Sequence, residues 1–224
     1  MELVAHAEDQ ACQRRALVDA NILALMARQL LYLGRADDAL ELVRLAQDGS
    51  RSSATPRIRA MLHTREAWAY AALGRHEAFW RATAMAEDAF GEADGGDQDP
   101  YWITYFDAAE LAGVTGGRLL DLAYQDRSNA ADGIGYVTRA LQLRNPQSLR
   151  SHALDQVGLA QLHLLSGDLD EAARVGATAV ETAQRCQSGR VRAQLQELYS
   201  QTSTRRDQRD IAELRARLQG VLTS

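Results

Sequence analysis

Asp107 and Glu110 stand three residues apart in a helical pattern, a spacing that puts two carboxylates on one face. Such a pair divides general acid and base work only where a pocket encloses it. Nothing nearby in the sequence supplies one, so a surface or capping role is expected. Asp94, Asp97 and Asp99 stand with Gly95 and Gly96, but a calcium loop needs oxygen ligands at alternate positions and a distal bidentate Glu. A solvated acidic loop is the expectation. His6, His63, His76, His152 and His163 fall singly, with no His pair at helical ligand spacing. Gly113-Val114-Thr115-Gly116-Gly117 follows no strand and fits no dinucleotide fingerprint, so it predicts a bend in a long helix. A phosphate loop, a Gly-x-Ser-x-Gly elbow and a His-Glu-x-x-His helix are also missing. The expectation is a chain that is not an enzyme and uses no cofactor or metal.

Arg185, Arg190, Arg192, Arg205, Arg206, Arg209, Arg215 and Arg217 crowd the C-terminal segment, as a nucleic-acid surface would. Glu197, Asp207, Asp210 and Glu213 dilute them, and Tyr199 is the one aromatic residue interleaved. Over the chain 30 acidic residues oppose 25 basic ones, for a formal charge of −5. No basic excess favours nucleic acid as a partner of this chain. Every basic residue is Arg, which with abundant Ala and Gly points to a GC-rich bacterial genome. Cys12 and Cys186 match no metal or redox spacing, so two free thiols in a reducing cytoplasm are expected. The first residues show no basic-then-apolar signal, and no stretch approaches a membrane span.

The elements that must position these residues read as helices. Ala and Leu dominate, Val and Ile are sparse, and there are only three prolines. Three segments repeat one design: an apolar helix, a Gly, a short polar turn and an Ala-rich helix. They run Asn21–Gly34 then Ala39–Ala46, Met61–Gly74 then Ala78–Phe90, and Leu154–Gly167 then Ala172–Ala183. Gly34, Gly74 and Gly167 accept the left-handed conformation that closes a helix where the chain reverses. The acidic residues that follow suit the next helix's positive N-terminus. Ala27, Ala67 and Ala160 each lie seven before their Gly, and Ala46, Ala86 and Ala179 twelve after it. Small residues at such offsets let antiparallel helices approach closely.

Gly34 and Gly74 are 40 residues apart and Gly74 and Gly167 are 93 apart, so an irregular unit is expected between. Pro100 is read as a helix start running to about Ala123, with a partner helix from about Asn129 to Leu143 ending before Pro146. Gly189–Ser200 and Thr204–Leu222 form a last pair, Ile211, Leu214, Leu218 and Val221 making its apolar stripe. Residues 1–13 read as a partial leading helix. The result is one all-α domain, 1–224, of helix pairs at about 14–47, 56–91, 100–143, 148–186 and 189–222.

The turns Leu33-Gly34-Arg35-Ala36-Asp37-Asp38-Ala39-Leu40 and Leu165-Ser166-Gly167-Asp168-Leu169-Asp170-Glu171-Ala172 resemble tetratricopeptide repeats. Three stretches resemble, more specifically, the sensing region of actinobacterial regulators that carry an Xre-type helix-turn-helix. These are His63-Thr64-Arg65-Glu66-Ala67-Trp68-Ala69, the run from Asp99-Pro100-Tyr101-Trp102 to Leu111-Ala112-Gly113, and Arg150-Ser151-His152-Ala153-Leu154. The likeness extends from about residue 15 to 220. No helix-turn-helix is recognisable, since Met1–Gln13 is too short for one.

That resemblance implies a superhelical stack whose first helices line a concave groove. The groove offsets fall on Asn21, Ala24, Arg28 and Leu31, on Met61, Thr64, Trp68 and Ala71, and on Leu154, Val157, Gln161 and Leu164. Tyr105 and Arg118 join them from the irregular unit. Candidate binding residues are therefore Asn21, Arg28, Met61, Thr64, Trp68, Tyr105, Arg118 and Gln161. Amide and guanidinium groups suit a peptide backbone, while Trp68 and Met61 suit its side chains. Trp68 reads equally well as core. The implied function is a regulatory module binding a peptide, a small effector or another protein, with a homodimer open. The alternative is a constitutive scaffold without sensing.

Overall fold

The computed structural model describes residues 2–93 and 99–223, with side chains from Gln10 onward. Asp94 and Asp97 of the acidic loop, and the His6 side chain, lie outside the described residues. The described chain is helical, without a strand, and it forms two compact units, Met1–Asp107 and Ala108–Ser224.

The first unit holds α1 (Glu2–Tyr32), α2 (Ala36–Ser50), α3 (Pro56–Ala72), α4 (His76–Gly91) and a short 3-10 turn (Tyr101–Ile103). Here α1 pairs with α2 and α3 with α4, while α3 also packs on α2 and α1. The second unit holds α5 (Ala108–Ala123), α6 (Ala130–Leu143), α7 (Leu149–Ser166), α8 (Leu169–Gln184), α9 (Gly189–Gln201) and α10 (Arg209–Thr223). There α5 pairs with α6 and α7 with α8; α10 packs on α8 as well as α9, and α7 touches α5, α6 and α9.

The three turn glycines do what their type allows. Gly34, Gly74 and Gly167 have φ of 72°, 67° and 88°, the only positive values among the described residues. Gly34 and Gly74 each close their helix with a pair of hydrogen bonds back to the last turn, and at Gly167 the Gly167 and Asp168 N–H groups both return to the His163 carbonyl. Arg35 N–H donates to Leu30 C=O at 2.9 Å and Gly34 N–H to Leu31 C=O at 3.1 Å; Arg75 and Gly74 repeat the pattern on Tyr70 and Ala71. Asp168 then caps α8, its Oδ1 accepting from Glu171 N–H at 3.3 Å. The six recurrent alanines, Ala27, Ala46, Ala67, Ala86, Ala160 and Ala179, are all buried, as close helix approach requires.

Two boundaries differ from the sequence reading. The leading segment and the first repeat helix are one 31-residue helix, α1, because nothing between residues 13 and 21 breaks a helix. Pro100 precedes only the 3-10 turn, and α5 begins at Ala108. The turn is held by its own side chains: Ile103 and Phe106 are fully buried, and Arg57 of α3 reaches Asp99 at 2.7 Å and the Phe106 carbonyl at 3.2 Å. The glycines of 113–117 lie inside the helix α5. A Cβ on Gly116 would stand 2.5 Å from Val137 Cγ2, so this glycine seats α6 against α5.

Candidate ligand-binding faces

In the first unit the helix–turn pattern brings three aromatic and cationic side chains together. Arg28 lies one turn before Tyr32 on α1, and its guanidinium sits 5.6 Å from the Tyr32 ring centre. Tyr32 in turn meets Trp68 of α3 edge-on, with centroids 5.0 Å apart and planes at 88°. Trp68 is partly buried against the cluster of Ala27, Leu31, Leu40, Val43 and Ala69, so it is core on one side and surface on the other. Tyr32 is half exposed. Asn21, partly buried, lies two helical turns before Arg28 on the same face. Arg28, Tyr32 and Trp68 form a cation–aromatic stack, a surface that takes an apolar or aromatic group alongside a carboxylate or carbonyl.

The remaining positions part company with that stack. Met61 is 1% exposed and Thr64 6%, the Thr64 hydroxyl donating to the Met61 carbonyl at 2.7 Å. Both belong to the core, because α3 is packed by α1, α2 and α4 and its N-terminal half has no open side. Tyr105 is half exposed beside Phe106, at 6.3 Å between ring centres. Arg57 holds that segment at the start of α3, about 16 Å along the helix from Trp68.

In the second unit Arg118 pairs with Asp121 at 2.9 Å. Burial raises the Asp121 carboxyl above its usual range, against the pull of Arg118. One turn on, the Tyr124 hydroxyl accepts from Gln201 Nε2 at 2.6 Å, and Gln201 also donates to Glu197 at 2.8 Å. Burial pushes the Tyr124 phenol up to about 12. These bonds tie the end of α5 to the end of α9. Gln161 is 1% exposed, its Oε1 buried without a partner. It sits inside α7's packing and not on an open groove wall, since α5, α6, α8 and α9 all touch that helix.

Two polar networks escaped the sequence reading. Between α2 and α3, Gln47 Nε2 donates to Glu66 Oε2 at 3.1 Å and meets His63 Nδ1 at 3.2 Å; His63 Nδ1 is 3.1 Å from the same carboxylate, and Tyr70 donates to its other oxygen at 3.2 Å. Burial alone would raise Glu66, but the bonds from His63, Gln47 and Tyr70 outweigh it and the carboxyl is lowered. The His63–Glu66 spacing of three was a visible signal; the Gln47 partner came from another helix. In the second unit Arg144 joins α5, α6 and α7. Its Nε lies 2.6 Å from Asp155, Nη1 3.3 Å from Glu110, and Nη2 3.3 Å from the Ala109 carbonyl. Glu110 therefore serves this clamp, not an acid–base pair with Asp107. Several C-terminal arginines are likewise engaged at home: Arg215 lies over Tyr199 at 4.1 Å and Arg217 pairs with Glu181 and Glu213.

Among the described residues no cluster of His, Cys, Asp or Glu has the geometry to hold a metal ion, and no helix is long and apolar enough to cross a membrane. No family model matches the chain, and neither curated proteins nor solved structures give a match.

Proposed function

We propose that this chain is a regulatory binding module, a tetratricopeptide-like stack of antiparallel helix pairs that senses a peptide or small effector. On this reading it is the sensing part, or a relative of the sensing part, of a bacterial transcriptional regulator. The observation that carries the proposal is the Arg28–Tyr32–Trp68 stack, presented by the first helices of two successive glycine-closed hairpins. Hairpins joined only through neighbouring faces transmit a change in one interface to the next. A ligand inserted between α1 and α3 would therefore act on the packing of the whole first unit. The ligand class that fits is a short peptide with an aromatic or aliphatic side chain near a carboxylate. The ring edges take the side chain and Arg28 the anion.

A thermal-shift screen of peptides and metabolites against the full chain is the test. A hit should raise Tm, and its affinity should fall about tenfold or more in Arg28→Ala and in Trp68→Phe. Binding that neither substitution alters would remove the stack from the site. A constitutive scaffold would instead hold a protein partner through pull-down and show no response to small ligands.

A further inference from the structure

The chain's acidic residues leave one end of the second unit bare. Residues 133–154 and 182–196 contain no Asp or Glu, yet they hold Arg139, Arg144, Arg150, Arg185, Arg190 and Arg192. The rest of the chain carries all 30 acids, so the formal charge of −5 conceals a local basic excess. The two stretches meet in space. α7 and α8 form a hairpin, which sets the end of α8 beside the start of α7, and α9 begins just after Arg185 and packs on α7. Nearby carboxylates are already used: Glu110 and Asp155 are taken up by Arg144, and Glu181 by Arg217. The helix starts at this end also break the pattern of the fold. α2, α4, α5, α6, α8 and α10 each place an acid in the first turn, where the helix dipole favours it. α7 and α9 place none, and Arg150 and Arg190 stand in those turns. A cation there opposes the dipole, which costs stability unless an anion sits against it.

We infer that this end of the second unit is a contact surface for the sugar–phosphate backbone of nucleic acid. Arg150, Arg185, Arg190 and Arg192 are exposed, and Arg150 and Arg185 make no ion pair among the described residues. Arg192 spends one donor on the Leu222 carbonyl at the end of α10 and keeps its charge. Around the arginines stand exposed neutral donors, Asn145, Gln147, Gln184 and Gln187. Ser148 opens α7 without a side-chain cap, which leaves the first N–H groups of that helix to an outside acceptor. Guanidinium, amide and hydroxyl groups together with helix N-termini are the donor set that proteins turn to phosphate oxygens. An acidic protein partner would call for apolar or aromatic anchors, and a bilayer for apolar side chains to insert. Leu143 is the one large apolar residue these stretches expose. Because the contacts on offer go to phosphate, binding is independent of base sequence. The Arg28–Tyr32–Trp68 stack belongs to the first unit, so this surface does not rest on the proposed sensing function.

Fluorescence anisotropy of a labelled, mixed-sequence DNA duplex of about 20 base pairs, titrated with the full chain, tests the inference. With about four phosphates neutralised, affinity should fall roughly a hundredfold between about 50 and about 200 mM salt. Arg150→Gln/Arg185→Gln should weaken binding about tenfold or more at the lower salt and flatten the log–log salt slope by about 2. Arg150→Gln alone gives the same reading, with about half the change in slope, should the double variant fold poorly by circular dichroism. Arg205→Gln/Arg206→Gln removes the same charge from the turn between α9 and α10, at the other end of the unit, and should bind as the wild type does. A chain that leaves the duplex free at about 50 mM salt, or a control pair that weakens binding as much as the first pair, overturns the assignment. So does tighter binding of poly-glutamate or of phosphatidylserine vesicles than of the duplex, which would give the surface to an acidic protein or to lipid.

Discussion

Asp155 shows how one residue couples packing to pH. Burial raises its carboxyl to about 6, and Arg144, 2.6 Å away, only partly offsets that. The folded state therefore holds this proton more tightly than the unfolded chain, whose Asp titrates near 3.9. The contribution is fully present below the unfolded value and is lost as pH rises through about 6. Relative to Asp155→Asn, the wild type should thus gain about 2 kcal/mol on moving from pH 7.5 to 4.5, measured by urea unfolding at both pH values. Glu66 runs the other way, since its lowered carboxyl supports folding at neutral pH and ceases to as acid protonates it. The comparison with Asp155→Asn isolates one from the other.

Helix pairing turns on contacts of atomic size. Gly116 and Gly117 are neighbours in α5, yet a Cβ at Gly116 meets Val137 Cγ2 at 2.5 Å and its backbone nitrogen at 3.0 Å, while a Cβ at Gly117 meets nothing within 4 Å. Gly116→Ala should destabilise by about 1–3 kcal/mol through overpacking. Gly117→Ala should stabilise by up to about 1 kcal/mol through helix propensity. Denaturant midpoints of the two variants decide it. The Arg144 clamp is a second element-level device, for it joins three helices through a guanidinium only 8% exposed. Arg144→Met leaves Asp155 and Glu110 without their cation and should cost about 3–5 kcal/mol, read from the same denaturant curves. The sequence offered no sign of that clamp. Its partners lie 11 and 34 residues away, and only the stacking of α5, α6 and α7 brings them together.

At the scale of the molecule, each unit carries its own core. The number of neighbours each helix has also explains why Met61, Thr64 and Gln161 lie buried rather than at the surface. Met61 and Thr64 occupy the same repeat offsets as Asn21 and Ala24; Ala24 is buried as they are, and only Asn21, on the helix that begins the unit, keeps a partly open side. Offset alone fixes which way a residue points along its helix. Whether that direction meets solvent depends on how many neighbours the helix has.

The amino-acid sequence by itself determined the local events: where helices stop, because only glycine takes a positive φ without a Cβ clash, and which small residues face a partner, because helical period sets direction. These are properties of a few consecutive residues. The tertiary structure alone decided which faces stayed open, which carboxylates were buried, and that Tyr32 would stand between Arg28 and Trp68. Burial and long-range polar contacts depend on groups far apart in the chain, and their positions follow only once the helices have packed.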